Sequence, residues 1–186
     1  MKCEKGDTVD ECELRLLREA VSEAERAEGR KKVHEPRVQQ IIAVVEKFLR
    51  DKGRICYGGT AINNILPPEE QFYEKDVEFP DYDFFSPEPV KDAKDLADIY
   101  VAQGLKHVEA KAGVHAGTFK VFVEFLPVAD ITFLPPELYG ALGKDAITVK
   151  GIRYAPPNYL RMAMYLELSR PRGDVGRWEK VTKRLA

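Results

Sequence analysis

Cysteine is scarce in this chain, histidine occurs three times and tryptophan once, and these shortages remove whole classes of function. Cys3, Cys12 and Cys56 are an odd number without a metal-ligand spacing, which excludes a zinc ribbon and predicts plain thiols in a reducing compartment. His34, His107 and His115 form no cluster, so no metal or acid–base role is assigned to them. No apolar run approaches the roughly 20 residues that a membrane span needs. The opening MKCEKGD has no apolar stretch of the kind a signal peptide carries. These absences predict a cytoplasmic protein without a membrane partner. Internal repeats and low-complexity tracts are also missing.

What is present suits a folded domain. The 186 residues are 44% apolar, enough for a real core. A formal net charge of −2 conceals a strong asymmetry. From Leu66 to Asp98 eleven acids face three lysines, a local balance of −8, and from Lys150 to Ala186 nine basic residues face three acids, a balance of +6. An acidic centre and a basic end fit a cation site beside a polyanion-binding surface, and two unrelated solvated faces are the alternative.

Hydrophobic periodicity predicts a helix over Cys12–Glu28, stopped by Gly29, with Leu14, Leu17 and Val21 recurring at helical spacing opposite a charged face. A second helix is expected over Pro36–Lys52, with Val38, Ile41, Ile42, Val45, Phe48 and Leu49 on one side. Then follow a short strand "RICY", the pair Gly58-Gly59, a short helix Thr60–Leu66 and the strand "DYDFFS". A helix over "PVKDAKDLADIYVAQG" leads to three strands, "KHVEAKA", "TFKVFVEF" and "VADITFL". A helix Pro135–Leu142, a hairpin in "AITVKGIRYAP" and helices from Pro157 complete the chain. The expected class is α+β, or mixed α/β, with a mixed sheet flanked by helices. Residues 1–33 are expected to be a helical extension and 34–186 the main domain, with a second subdomain beginning near residue 157.

The chemistry concentrates in three places. Asp81 and Asp83 lie two apart in a strand signal, which puts them on one face with Cα atoms about 6.5 Å apart. Tyr82, Phe84 and Phe85 surround them, and two carboxylates so placed are unfavourable unless cations or protons neutralise them. A pair of magnesium ions suits that spacing; a solvated edge strand is the plain alternative. Asp130, inside the apolar run "PVADITFL", is a third acid that is costly unless paired or metal-bound. Glu124 competes for that place, but it alternates with Phe122 and Lys120 on what reads as the wetter side of a strand. Gly58 and Gly59, between a strand and a helix, allow backbone N–H groups to approach a phosphate, and Thr60 adds a hydroxyl.

"YGGTAIN", "DYDFF" and "ADI" together resemble the signature of the DNA polymerase beta-like nucleotidyltransferase superfamily. "CYGGTAINNILP", "PDYDFFSP", "VADITFLP" and "MYLELSRPRGDVGRWEKVTKRL" resemble more closely the poly(A) polymerase catalytic subunits of large nucleocytoplasmic DNA viruses, from about Ile41 to the C-terminus. The resemblance implies a palm-like catalytic domain that adds AMP from ATP to RNA 3′ ends. It implies that Asp81, Asp83 and Asp130 hold two divalent ions, Mg2+ or Mn2+, and that Gly58, Gly59 and Thr60 contact the triphosphate. The implied partners are ATP, an RNA 3′ end and a processivity or regulatory subunit, and the implied place is the host cytoplasm, a viral factory or the virion. Arg161, Arg170, Arg172, Arg177, Lys180, Lys183 and Arg184, with Lys150 and Arg153, are candidate phosphate contacts that sequence leaves unranked. Trp178, Tyr154 and Tyr159 are expected to pack rather than stack on a base. Family members are longer, so this stretch is expected to be a catalytic domain or a minimal transferase. A protein or small-molecule acceptor, or a non-catalytic RNA- or partner-binding role, stays open.

Overall fold

The computed structural model describes Cys3, Gly6, residues 8–170, Gly173 and residues 175–185, apart from the Lys183 side chain. Arg172 and the Lys183 side chain, both candidates above, lie outside the described residues. The chain forms two compact units, Met1–Gln39 with Glu74–Phe79, and Gln40–Tyr73 with Pro80–Ala186.

The first unit is built on α1 (Val9–Val33). Thr8 and Glu11 form a capping box: the Glu11 N–H donates to Thr8 Oγ1 at 3.3 Å and the Thr8 N–H to the Glu11 carboxylate at 2.9 Å. Asp10 and Glu11 in the first turn and Arg30, Lys31 and Lys32 in the last complement the helix dipole. Two expectations are corrected here. The helix runs through Gly29, because that glycine serves close packing rather than a stop. A Cβ on it would lie 2.6 Å from the Val77 carbonyl oxygen. Leu14, Leu17 and Val21 are exposed. The 74–79 segment is held by the Arg26–Glu74 ion pair at 2.7 Å. Cys3 and Cys12 are joined as a disulfide, not left as thiols; the turn into α1 brings their Cα atoms to 5.2 Å.

The second unit contains a seven-stranded mixed sheet. Helix α2 (Pro36–Lys52) has the bounds expected of it, and Gly53, with φ of +59°, reverses the chain into β1 (Ile55–Tyr57). After α3 (Gly58–Ile65) and a 3-10 turn at Pro68–Glu70 come β2 (Tyr82–Ser86), α4 (Pro89–Ala102), β3 (Val108–Ala112), β4 (Thr118–Val123) and β5 (Leu126–Phe133). Then α5 (Pro136–Lys144), the hairpin β6 (Ile147–Val149) and β7 (Ile152–Tyr154), α6 (Pro157–Ser169) and α7 (Trp178–Leu185) follow. The spatial order is β3-β4-β5-β2-β1-β7-β6. Pairs β2–β5 and β1–β7 are parallel and the others antiparallel. This is the mixed α/β architecture that the sequence predicts.

Strand alternation sorts the sheet into two faces. Tyr82, Phe84, Val121, Val123, Ala129 and Ile131 are buried on one of them. Phe84 meets Phe48 of α2, with ring centroids 6.2 Å apart, and α4 packs along β2 to β5. The Tyr100 hydroxyl of α4 donates to the Ile41 carbonyl of α2 at 2.9 Å. Asp92 in the first turn of α4 is fully buried and pairs with Arg54 at 2.6 Å. On the opposite face Phe85 stacks on Tyr57, centroids 4.1 Å apart, and meets Tyr159 of α6 edge-on at 5.9 Å.

Candidate active site

One register row on that second face collects the acids. Asp83 of β2 stands opposite Tyr57 of β1 on one side and Asp130 of β5 on the other. Asp130 in turn stands opposite Lys120 of β4. Neighbouring strands lie about 4.8 Å apart, so the parallel β2–β5 pairing sets two carboxylates side by side. Asp81 falls one step before β2 rather than on it, because the strand begins at Tyr82. Its charge nonetheless belongs to the same group. Burial, then the Asp81 and Asp130 charges, push the Asp83 carboxyl up to about 7, with Lys120 and Arg184 partly offsetting them. Burial and then Asp130 also raise Asp81, opposed by Lys120 and Lys180. The Lys120 ammonium is ion-paired with Asp130.

The glycine turn leans on this row. Helix α3 begins at Gly58, so both glycines are its first residues rather than a linker before it. Gly58 has φ of +75°, and a Cβ there would collide with the Asp83 carboxylate, whose Cγ would lie at 3.1 Å. A Cβ on Gly59 would lie 2.6 Å from the Tyr73 hydroxyl and also strike the Arg184 guanidinium. The Thr60 hydroxyl donates to the Asp81 carbonyl at 2.6 Å, tying the helix to the segment that carries the first acid. Tyr57 at the N-cap position gives α3 no side-chain cap, so no side chain caps the first-turn N–H groups. Asn63 Oδ1 accepts from the N–H groups of Phe72 and Tyr73, both at 2.8 Å, and so fixes the loop that presents the Tyr73 hydroxyl. Arg184 of α7 donates to that hydroxyl, and its Nε is buried without a hydrogen-bond partner.

The structure separates the basic candidates. Arg184 and Lys180 are near enough to the acids to act on their protonation. Arg153 is used structurally, donating to the carbonyls of Gly53 at 3.2 Å and Gly143 at 2.7 Å. Arg177 pairs with Glu167 at 2.9 Å, Arg170 follows the end of α6, and Lys150 sits in the left-handed turn of the β6–β7 hairpin. Arg161 lines a shallow groove along α6 with Met162 and Tyr165. Trp178 is 40% exposed, since it opens α7 at the surface instead of entering the core. Tyr154 packs as expected, its buried hydroxyl accepting from Asn64 at 3.1 Å. Glu124 is in the turn after β4, with φ of +52°, and its carboxylate accepts from the Lys106 N–H at 3.2 Å. Sequence patterning missed Lys120 and Tyr73. Only strand register reveals the first, and only the Asn63 loop clamp the second.

Among the described residues, no three acidic, imidazole or thiol side chains are gathered as a ready metal cage. The Asp130 carboxylate is engaged by Lys120. The donor chemistry nevertheless fits a hard divalent cation: three carboxylates, all oxygen ligands, two of them raised in pKa first by burial and then by neighbouring carboxylate charge. No described helix is long and apolar enough to cross a membrane.

The sequence pattern of the family described as "Poly(A) polymerase catalytic subunit" matches residues 43–174. The chain belongs to the poly(A) polymerase catalytic subunit family. A mimivirus protein assigned to that role is 35% identical over 149 residues, spanning 78% of this chain, and an African swine fever virus counterpart is 33% identical over 134 residues, spanning 72%. The crystal structure of the Megavirus polyadenylate synthase superposes with a TM-score of 0.84 at 31% identity, covering all of this chain. The Helicobacter pylori protein JHP933, at 13% identity and a TM-score of 0.54 over 79% of the chain, shares the fold alone. The chain spans 25% and 28% of the two curated poly(A) polymerase relatives and 38% of the Megavirus structure.

Proposed function

We propose that this chain is the nucleotide-handling domain of a metal-dependent nucleotidyltransferase that adds AMP from ATP to RNA 3′ ends. The observation that carries this reading is the parallel β2–β5 register, which sets Asp83 beside Asp130 with Gly58 pressed against the Asp83 carboxylate. A structural sheet face has no need for a second carboxylate set beside one that already holds the row's ion pair.

Asp81, Asp83 and Asp130 would hold two Mg2+ or Mn2+ ions. When bound, these supply charge neutralisation for the triphosphate and lower the pKa of the attacking hydroxyl. Gly58 and Gly59, at the uncapped start of α3, receive triphosphate oxygens on backbone N–H groups, with Thr60 bracing the turn onto Asp81. Arg184 offers an unpaired buried Nε from the side of Gly59. In the transfer, the RNA 3′ oxygen bonds to the α-phosphorus of ATP and the bridge from the α- to the β-phosphate breaks. Pyrophosphate leaves and the hydroxyl proton passes to solvent. No covalent enzyme intermediate is needed, so the residues act by positioning and charge. A processivity or regulatory subunit is a proposed partner, and the cytoplasm of an infected host cell the proposed location.

The test is incubation with an oligo-RNA, magnesium and each nucleoside triphosphate in turn. Extension restricted to ATP is the expected result. Labelled ATP transferred to a protein or small molecule, with RNA untouched, would shift the reading to a different acceptor. RNA binding without magnesium-dependent nucleotide binding would make this a binding module.

A further inference from the structure

The least expected neighbour of the acids is a cation, Lys120. Standing opposite Asp130 across the β4–β5 ladder, it is, among the described residues, the cation ion-paired with one of these acids. Its side chain is about one-third exposed and that of Asp130 less than one-fifth, so the pair is partly shielded from water. We infer that Lys120 is the resident counter-ion of the third carboxylate, holding Asp130 while no divalent cation is bound and releasing it when one enters. This rests on the proposed role of Asp130 as a metal ligand.

Three observations support it. First, the β4–β5 register sets Lys120 directly opposite Asp130, so the ion pair is held in place by the strand ladder as well as by charge. Second, an ammonium on a flexible four-carbon stem leaves a carboxylate easily, unlike a forked guanidinium. Third, the way out is not blocked by an uncompensated like charge. The outer register neighbour of Lys120 is Lys111, whose ammonium is taken by Glu109 at 3.0 Å and lies 4.4 Å from the Phe122 ring centroid. A released Lys120 ammonium therefore has exposed strand surface beside it.

An ordinary sheet ion pair and an exchangeable counter-ion differ in one measurable respect. Removing the first leaves metal affinity unchanged or lowers it, and removing the second raises it, because the ion no longer competes for Asp130. Mn2+ alone is titrated into nucleotide-free protein, with free Mn2+ read by electron paramagnetic resonance. Lys120→Gln is expected to bind Mn2+ about three- to tenfold more tightly than the parent, the span of a partly shielded charge pair. Lys120→Arg, which keeps the charge on a forked group that leaves a carboxylate less easily, is expected to bind Mn2+ no more tightly than the parent, and Lys111→Gln to match the parent. In EDTA the melting temperature of Lys120→Gln is expected to fall, and magnesium to raise it by more than in the parent. Equal or weaker Mn2+ binding by Lys120→Gln would overturn the inference. Asp83→Asn separates this from the function itself. If that variant loses Mn2+ while Lys120→Gln is unchanged, only the Lys120 inference falls; if it keeps Mn2+, or if the parent binds none, the metal site falls with it.

Discussion

On one face of the sheet Tyr82 and Phe84 of β2, Val121 and Val123 of β4, and Ala129 and Ile131 of β5 are buried against α2 and α4. One residue along the same strands, Asp83, Lys120 and Asp130 point the other way and form a charged row. The two faces share a backbone and differ only in the parity of the residue number. Folding free energy is concentrated on the first, where apolar area leaves water. The second works against folding, since its carboxylates are crowded together and partly withdrawn from water. A strand period of two thus lets the chain place a destabilising site within one residue of its most stabilising contacts. Substitutions on the two faces should therefore fail in different assays.

The sharpest contrast is between Asp83 and Phe84. Asp83→Asn is expected to lower AMP transfer by about a thousandfold or more, with circular dichroism and melting close to the parent. Phe84→Ala, one position on, removes a fully buried ring and is expected to reduce unfolding free energy by about 3–5 kcal/mol, read as a lower denaturant midpoint at unchanged slope. Gly58→Ala should fall between the two faces. Its φ of +75° and the collision with the Asp83 carboxylate are expected to lower stability by about 1–3 kcal/mol and to weaken magnesium–ATP binding as well. Arg184→Gln is expected to raise the KM for ATP several-fold with little change in kcat, as a lost phosphate contact worth roughly 1–2 kcal/mol would. The smallest effect belongs to Cys56 on the apolar face: burial raises its thiol above the ordinary range, so native protein should be alkylated far more slowly than unfolded protein.

Much of this contrast is legible in the sequence. Alternation within "DYDFFS" and "VADITFL" separates Phe84 from Asp83 and Ile131 from Asp130, and the apolar stripe of α2 marks the helix that covers the core. The glycine pair also stands out, although its place inside α3 does not. Long-range register is invisible to such patterns. Nothing near Lys120 in the chain says that it lies opposite Asp130, because the β4–β5 pairing fixes that. Local signals mislead where packing overrides them. Gly29 reads as a helix stop and is instead a point of close approach to Val77. Leu14, Leu17 and Val21 recur at helical spacing and are exposed all the same. Among the C-terminal basic residues, composition cannot distinguish Arg153, spent on two backbone carbonyls, from Arg184, which lies over the glycine turn.

The proposed cation site on the charged face relieves, when occupied, a strain built into the fold. It is tested most directly by thermal melting of the parent and Asp83→Asn, each in EDTA and each with magnesium and ATP. Asp83→Asn is expected to melt no lower than the parent in EDTA, and magnesium and ATP to raise the melting temperature of the parent alone. An Asp83→Asn variant that melts well below the parent in EDTA, yet still gains the same increment from magnesium and ATP, would contradict it.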